Sequence, residues 1–413
     1  MCKKKGIYIA IILFILLVGT SANVYGSLRQ GSKGRVVTLF NDGWKFKKVA
    51  NNSDINMKQI DTSNWEEVKL PHTWNAIDGC DGYAASVVEA DGSIQSVDSN
   101  DNSYYRGVGG YLKEYTFASE IYQGKKVFIE FEGANTVTTL YINGKKVGKA
   151  HKGGYAAFRY DITGYIKLDQ VNIIAVAVDN SRTTDIAPID WEGDFTKFGG
   201  IYRDVSILAV DKIHIDLMDY GSDGIYVSTD NVSSKSADTN IKVNITNDDR
   251  QSHEITVRAE ISSKSGKIVA KKEETLELKN GITAAVTMNL PITKPHLWKG
   301  INDPYLYDLK ITLLADNYID EKIIKFGYRS FQLSNTKGLL LNGKKYNVNG
   351  VNYHQDSYEN GWAMTSEQYE RDFSIMKEMG VTAVRFAHYQ HNQYEYELCD
   401  NEQNVLLLHP FPS

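Results

Sequence analysis

The stretch Asn347-Val-Asn-Gly-Val-Asn-Tyr-His354 reads as a short strand that ends in a histidine, and helix and strand signals alternate after it. Thr365-Ser-Glu-Gln368 is a capping-box pattern that opens a helix, and Gly380 stands where helices commonly end. Val381-Thr-Ala-Val-Arg-Phe386 is the next strand signal. A strand, a helix and a strand in this order predict a parallel βαβ unit with a right-handed crossover.

The pattern continues to the end of the chain, with a second short helix at about residues 393–399 and an apolar strand at 405–408. A βαβαβ start belongs to a doubly wound sheet or to a (β/α)8 barrel. Three strands and two helices cannot close a barrel, which takes about 250 residues. We therefore expect residues 329–413 to be the incomplete start of one of these two folds.

The residues before this unit predict two β-rich domains. Short alternating strands fill residues 27–210, where Asn143-Gly144 is a strong two-residue hairpin signal, and they predict a jelly-roll β-sandwich. Residues 211–328 hold about seven further short strands, the size of an immunoglobulin-like sandwich without a disulfide.

Composition excludes several classes of protein. The 413 residues carry 46 Lys and Arg against 51 Asp and Glu, a net charge of -5, which gives no basic footprint for nucleic acid. No cluster has zinc-ligand spacing, and no phosphate-binding or dinucleotide-binding fingerprint is present. Cys80 and Cys399 fall in different predicted domains, so we expect no disulfide between them.

Residues 1–26 resemble a secretory signal peptide. Three lysines precede an apolar run, and small residues follow it. The alternative is an N-terminal membrane anchor, for which the apolar run is short. The prediction is a periplasmic or secreted protein.

Two histidines follow neighbouring parallel strands. His354 and His388 both lie just past a strand's carboxyl end, the edge at which α/β folds gather ligands and catalytic groups. Arg385 lies three residues before His388, so strict strand alternation cannot point both side chains to one side unless the strand ends between them. The alternative interpretation is that these are polar loop residues satisfied by local hydrogen bonds.

An acidic and aromatic string, Asp190-Trp191-Glu192-Gly193-Asp194-Phe195, lies in the first predicted sandwich. Aromatic faces pack on sugar rings and carboxylates accept from hydroxyls, so the composition suits a carbohydrate contact. A solvated acidic loop is the alternative.

The chain resembles glycoside hydrolase family 2 from about residue 37 to residue 400. The family has a sandwich, an immunoglobulin-like domain and a TIM barrel in this order, so the resemblance implies that residues 329–413 are the incomplete start of a TIM barrel. Tyr353-His-Gln-Asp356 is most similar to the β-galactosidase branch of the family. Seven strings carry the resemblance: Asn41-Asp-Gly-Trp44-Lys-Phe46, Leu70-Pro-His-Thr-Trp74-Asn75, Tyr104-Tyr-Arg-Gly107, Phe198-Gly-Gly-Ile-Tyr-Arg-Asp-Val205, Phe326-Gly-Tyr-Arg329, Asn349-Gly-Val-Asn-Tyr-His354 and Ala383-Val-Arg-Phe-Ala-His-Tyr389.

The resemblance implies roles for individual residues. His354 and His388 match histidines that bind the galactosyl unit, and Arg385 matches an arginine that supports the nucleophilic carboxylate. Asp194 matches a carboxylate that reaches from the sandwich into the active site and helps hold a sodium ion in some members. No cofactor is required, although some members use Na⁺ or Mg²⁺. The implied reaction is hydrolysis of terminal β-galactosides with retention, by two carboxylates about 5 Å apart.

The chain departs from the family at its end. The family's two catalytic glutamates are expected beyond Ser413, so we expect a truncated or frameshifted form that is inactive alone and is a possible homo-oligomer at full length. Thr382 and Gln390 replace an Asn and a Pro of the family pattern. Two alternatives stay open: a non-catalytic carbohydrate-binding protein, and a β-glucuronidase or β-mannosidase of the same family.

Overall fold

The computed structural model describes residues 28–29, 33–50, 55, 61–76, 86–88, 94–96, 105–181, 186, 196–401 and 406–408. The predicted signal peptide, residues 1–26, lies outside these ranges. Within them, no helix is both long enough and apolar enough to cross a membrane.

The first unit packs two antiparallel sheets face to face. One has the strand order β1-β2-β14-β8-β12 and the other β10-β9-β13-β7-β3-β4, with β11 also on β9. Between them lie fully buried apolar side chains such as Tyr111, Ile129, Val176 and Ile207. The elements are β1 Leu28–Arg29, β2 Val36–Leu39, β3 Trp44–Val49, β4 Glu66–Val68, β5 Ser86–Val88, β6 Ile94–Ser96, β7 Val108–Thr116, α1 Ser119–Tyr122, β8 Lys126–Phe131, β9 Val137–Ile142, β10 Lys145–Lys146, β11 His151–Lys152, β12 Phe158–Asp161, β13 Val171–Asp179 and β14 Val205–Val210.

The second unit is another sandwich with its own core. A sheet of β15-β17-β16, with β20 also on β17, faces a sheet ordered β19-β18-β21-β22. Buried positions alternate with partly buried ones along β18 and with exposed ones along β20. The core between the two sheets includes Ile241, Val257 and Ile311. The strands are β15 Ile213–Ile215, β16 Ile225–Asp230, β17 Ser236–Asn247, β18 His253–Ser262, β19 Ile268–Leu278, β20 Ile282–Thr293, β21 Tyr307–Ala315 and β22 Tyr318–Phe326.

The third unit begins with a small antiparallel sheet and continues as the predicted parallel βαβαβ unit. Strands β26, β27 and β28 pair in parallel, with α2 and α3 as the crossovers. The elements are β23 Phe331–Ser334, β24 Gly338–Leu341, β25 Lys344–Lys345, β26 Gly350–Tyr353, α2 Ser366–Glu378, β27 Ala383–Phe386, α3 Gln393–Asn401 and β28 Leu406–Leu408.

Helix α2 begins as the sequence pattern predicts. The Thr365 side chain accepts from the Gln368 backbone N–H, and the Gln368 side chain accepts in return from Thr365, which completes the capping box. Phe373 and Met376 are buried on its inner face. Met379, predicted by its spacing to share that face, is 68% exposed because it is the C-cap residue, past the last helical turn.

The predicted fold class is confirmed: a jelly-roll sandwich, an immunoglobulin-like sandwich and the start of a TIM barrel. One strand starts later than the pattern suggested. The pattern at residues 201–208 predicts a strand that starts at Ile201, yet β14 begins only at Val205, and Tyr202 and Arg203 lie in the buried loop before it. The domain boundaries at residues 210 and 328 stay predictions.

The two sandwiches meet at a buried ion pair. The Arg35 guanidinium donates from Nε to Asp320 Oδ1 at 2.5 Å and from Nη2 to Asp320 Oδ2 at 2.7 Å. Asp320 also accepts from the Ile215 backbone N–H at 2.8 Å. The Arg35 side chain is 4% exposed and that of Asp320 is 0% exposed, so this junction is a desolvated, bidentate pair.

Candidate active site

The two histidines predicted from strand ends do meet. β26 ends at Tyr353 and β27 ends at Phe386, and the parallel register aligns these two residues. The rings of His354 and His388 lie 5.3 Å apart between centroids, edge to face, and both are partly buried. The carboxyl-terminal edge of the parallel sheet therefore presents two imidazoles side by side.

Arg385 shares this edge. Its Nη2 donates to His388 Nδ1 at 3.0 Å, and its Nη1 donates to Asn352 Oδ1 at 3.2 Å. Because a guanidinium only donates, Nδ1 of His388 is the acceptor, and the ring proton of neutral His388 lies on Nε2. Strict alternation along a strand would not point Arg385 and His388 to the same side. Strand β27 ends at Phe386, so the alternation does not extend to His388.

An aromatic cluster lies between this edge and the first sandwich. Tyr389, next to His388, stacks on Tyr155 of the sandwich with centroids 4.2 Å apart and planes at 12°. Trp362, which is 1% exposed, packs against both rings and against Phe198 and Tyr202. Burial raises the pKa of the Tyr389 hydroxyl, so this tyrosine stays neutral.

A buried arginine crosses the same boundary. Arg203 Nη1 donates to the carbonyls of Tyr155 at 2.6 Å and Glu132 at 3.2 Å, both in the sandwich. Its Nη2 donates to Gln355 Oε1 at 2.8 Å and to the Gln390 carbonyl at 2.7 Å, both beside the histidines. Arg203 lies in the string at residues 198–205 that carries the family resemblance, and the resemblance implies no role for it.

A third histidine near this edge, His391, forms a buried pair with a glutamate. His391 Nδ1 lies 3.1 Å from Glu395 Oε1, and both side chains are 0% exposed. Glu395 also accepts from the Asn392 backbone N–H at 2.9 Å, and the His391 ring stacks on Phe386 at 4.3 Å. The i,i+4 spacing of His391 and Glu395 at the start of α3 is the sequence signal from which this pair could have been predicted.

Asp194 lies outside the described residues, as does the rest of the acidic string at 190–195. Its role at the sugar and at a sodium ion stays a prediction. Among the described residues, no group of three or more His, Cys, Asp or Glu side chains has the arrangement of a metal site. Cys399 is a buried free thiol whose pKa is raised by burial, and Cys80 lies outside the described ranges.

Three family models match the chain in consecutive segments. The sugar binding domain of glycosyl hydrolases family 2 matches residues 37–211. The central domain model of the same family matches residues 220–329, and its TIM barrel domain matches residues 331–407.

Similar proteins cover nearly the whole chain. A β-glucuronidase of Bacteroides fragilis is 34% identical over 400 residues, 96% of this chain and 51% of the relative. A β-galactosidase of Thermoanaerobacter pseudethanolicus is 32% identical over 383 residues, 92% of this chain and 47% of the relative. A crystal structure of Bacteroides uniformis β-glucuronidase superposes with a TM-score of 0.81 at 34% identity, over 91% of this chain and 42% of that one.

The chain thus spans about half the length of the curated relatives it matches. The histidine pair and Arg385 lie within the segment matched by the TIM barrel model, and Arg203 lies within the segment matched by the sugar binding model. From its sandwich through the first strands of its barrel, this chain belongs to glycosyl hydrolases family 2.

Proposed function

We propose that the full-length protein is a retaining β-glycosidase whose non-reducing-end sugar binds at the edge formed by His354, His388 and Arg385. The observation that carries this proposal is the convergence of two imidazoles 5.3 Å apart with a guanidinium 3.0 Å from one of them, in a chain of this family. Imidazole N–H groups donate to sugar hydroxyls, and a guanidinium stabilises a neighbouring carboxylate.

The described residues would contribute binding and electrostatics rather than bond cleavage. Because Arg385 donates to Nδ1, neutral His388 carries its proton on Nε2, the nitrogen that would donate to a sugar hydroxyl. The nucleophile and the acid/base would be the two carboxylates of the family, about 5 Å apart, which the resemblance assigns to later barrel strands. Interactions that strengthen as the oxocarbenium-like transition state forms would act on turnover more than on ground-state binding.

We propose a β-glucuronide as the first candidate substrate and a β-galactoside as the second. The relative from Bacteroides fragilis and the solved structure from Bacteroides uniformis, both 34% identical, are named β-glucuronidases, which supports the first. The Tyr353-His-Gln-Asp356 string and a β-galactosidase relative at 32% identity support the second. The two sugars differ at C6, where a carboxylate needs a cationic partner and a hydroxymethyl group does not.

The test is hydrolysis of nitrophenyl β-glucuronide and nitrophenyl β-galactoside by the full-length protein, with product configuration followed by NMR. We expect the β-configured product first and a loss in kcat/KM of about 100-fold or more for His388→Ala. His296→Ala is the matched control, since His296 pairs with Asp303 on the second sandwich. Absence of hydrolysis of both substrates, or an equal loss in the control, would refute the proposal.

We also propose that the protein is exported through the segment at residues 1–26. The basic start and apolar run support this. Expression in a bacterial host followed by N-terminal sequencing should find a mature chain starting near residue 27, and a full-length amino terminus would contradict it.

A further inference from the structure

We propose that Arg203 of the first sandwich is a positioning residue that holds the two loops carrying His354 and His388 in register with each other. Its role in turnover rests on the proposed function, whereas its effect on the histidines can be measured without turnover. The barrel strands alone would then not set the geometry of the sugar-binding edge. The sandwich would contribute to it through one guanidinium.

The sandwich side of this contact is rigid. Asn135 donates from its backbone to the Gly200 carbonyl at 3.1 Å and from its side chain to the Phe198 carbonyl at 2.8 Å. The Tyr202 hydroxyl donates to the Gly154 carbonyl at 2.5 Å. On the other side of Arg203, the Glu132 backbone N–H donates to the Asp204 carbonyl at 3.0 Å, so the loop is hydrogen-bonded to the sandwich both before and after this residue.

The edge side of the contact lies next to the functional residues. Gln355 directly follows His354, and Gln390 lies two residues after His388. One nitrogen, Nη2, donates to both loops. A shift of either loop by about 1 Å would break a hydrogen bond of a residue that is only 3% exposed, where water cannot easily replace the lost partner.

The acceptors of Arg203 indicate that it positions the two loops and does not simply join the sandwich to the barrel edge. All four acceptors of Arg203 are neutral oxygens, three of them backbone carbonyls. Burying a guanidinium is costly, and a well-packed apolar residue would join two surfaces without that cost. A guanidinium is planar, so its N–H groups hold their acceptors close to one plane and fix the direction of each hydrogen bond.

Three variants test the proposal in the full-length protein. Arg203→Lys keeps the charge but lacks the fork, Arg203→Gln removes both, and Gln355→Leu removes only the acceptor beside His354. Arg159→Lys is the matched control, because Arg159 is a buried sandwich arginine that donates to the carbonyls of Leu217 and Ser222, away from the edge. We expect both Arg203 variants to lower kcat by about 100-fold with a smaller change in KM, and the control to keep its kcat.

The second readout needs no substrate. In the 413-residue chain labelled at histidine ring carbons, both Arg203 variants should move the NMR signals of His354 and His388. Gln355→Leu should move mainly His354, and Arg159→Lys should move neither. If neither Arg203→Lys nor Gln355→Leu moves the signal of either histidine, Arg203 does not position the histidines and the proposal is wrong. If the wild-type protein hydrolyses nothing, the proposed function fails, and the ring signals still decide the positioning role.

Discussion

Arg35 and Arg203 are buried arginines that cross domain boundaries, and they have different kinds of partner. Arg35 joins the two sandwiches through a bidentate ion pair with Asp320. Arg203 joins the first sandwich to the barrel edge, and it donates only to neutral oxygens. The first junction is held by charge, while the second is held by directional hydrogen bonds and by the aromatic packing of Trp362.

The difference follows from what each junction must hold. The sandwich junction carries no candidate functional residue, so an ion pair that fixes one point of contact is sufficient. The edge junction flanks His354 and His388, where two separate loops must stay in register. Neutral acceptors on both loops fix the positions of the loops without placing another carboxylate there.

The largest expected effect comes from breaking the charged junction. Asp320→Ala leaves the Arg35 guanidinium buried without its counter-ion and removes the acceptor of the Ile215 N–H. We expect a loss of about 3–5 kcal/mol in the free energy of unfolding. Urea unfolding of the 413-residue chain, followed by circular dichroism, measures it.

Glu274→Ala is the control for that experiment. Glu274 pairs with Lys272 in the same sandwich at 3.0 Å, but the two side chains are 42% and 41% exposed. An exposed pair of this kind is worth about 0–1 kcal/mol. A loss of the same size in both variants would mean that the buried pair does not hold the junction.

Much of the fold was predictable because its signals are local. Asn143 and Gly144 both adopt positive φ, 53° and 75°, as the hairpin signal requires. The capping box at Thr365 lies within one turn of helix. The histidine pair was predictable for a related reason: the carboxyl ends of parallel strands share an edge, so strand ends alone place His354 beside His388.

The rest depended on contacts between residues distant in sequence. Arg203 is 152 residues from Gln355 and 187 from the Gln390 carbonyl, and no local pattern relates such positions. Trp362 likewise gains its role from aromatic rings of another domain. Met379 shows that a local pattern can also mislead. Helical spacing predicts which residues share a face, but it does not predict where the helix ends and the face becomes exposed.

A smaller effect is expected from a substitution at the junction between the first sandwich and the barrel edge. Gly361 lies in the loop before α2 with φ of +51°, and a methyl group there would lie 2.5 Å and 2.6 Å from two ring atoms of Phe198. Gly361→Ala therefore forces an overpacked contact on the aromatic cluster in addition to the unfavourable backbone. We expect a loss of about 1–3 kcal/mol beyond the backbone effect, measured by urea unfolding.

Gly380→Ala isolates the backbone effect. Gly380 has φ of +74° with no atom within 4 Å of an added methyl group, so this variant carries only the cost of the left-handed conformation, about 1–2 kcal/mol. Equal losses in the two variants would show that the aromatic cluster adapts, and the junction would then be softer than its packing indicates.

The smallest expected effect is a response to pH on the sandwich side of the edge junction. The His72 backbone N–H donates to the Ile201 carbonyl at 2.8 Å, close to Arg203 in the chain. The Tyr111 hydroxyl accepts from the Ile201 N–H and lies 2.8 Å from His72 Nδ1, so its own proton goes to that nitrogen. Burial lowers the pKa of His72 from 6.5 to about 4. A histidine with a lowered pKa in the folded state stabilises the fold above pH 6.5, and that stability is lost as the pH falls from 6.5 towards 4.

The measurement compares wild-type protein with His72→Gln, which keeps a polar side chain and cannot titrate. The free energy of unfolding of wild type relative to the variant should fall by about 2 kcal/mol between pH 6.5 and pH 4. His253→Gln is the opposite control, because hydrogen bonds to Asp316 and then to Asp249 raise the pKa of His253. The contribution of His253 is present below pH 6.5 and is lost as the pH rises through its raised pKa, so its difference curve has the other sign. Curves of the same sign would mean that His72 is charged in the fold, and acid would then not act selectively on the loop that carries Arg203.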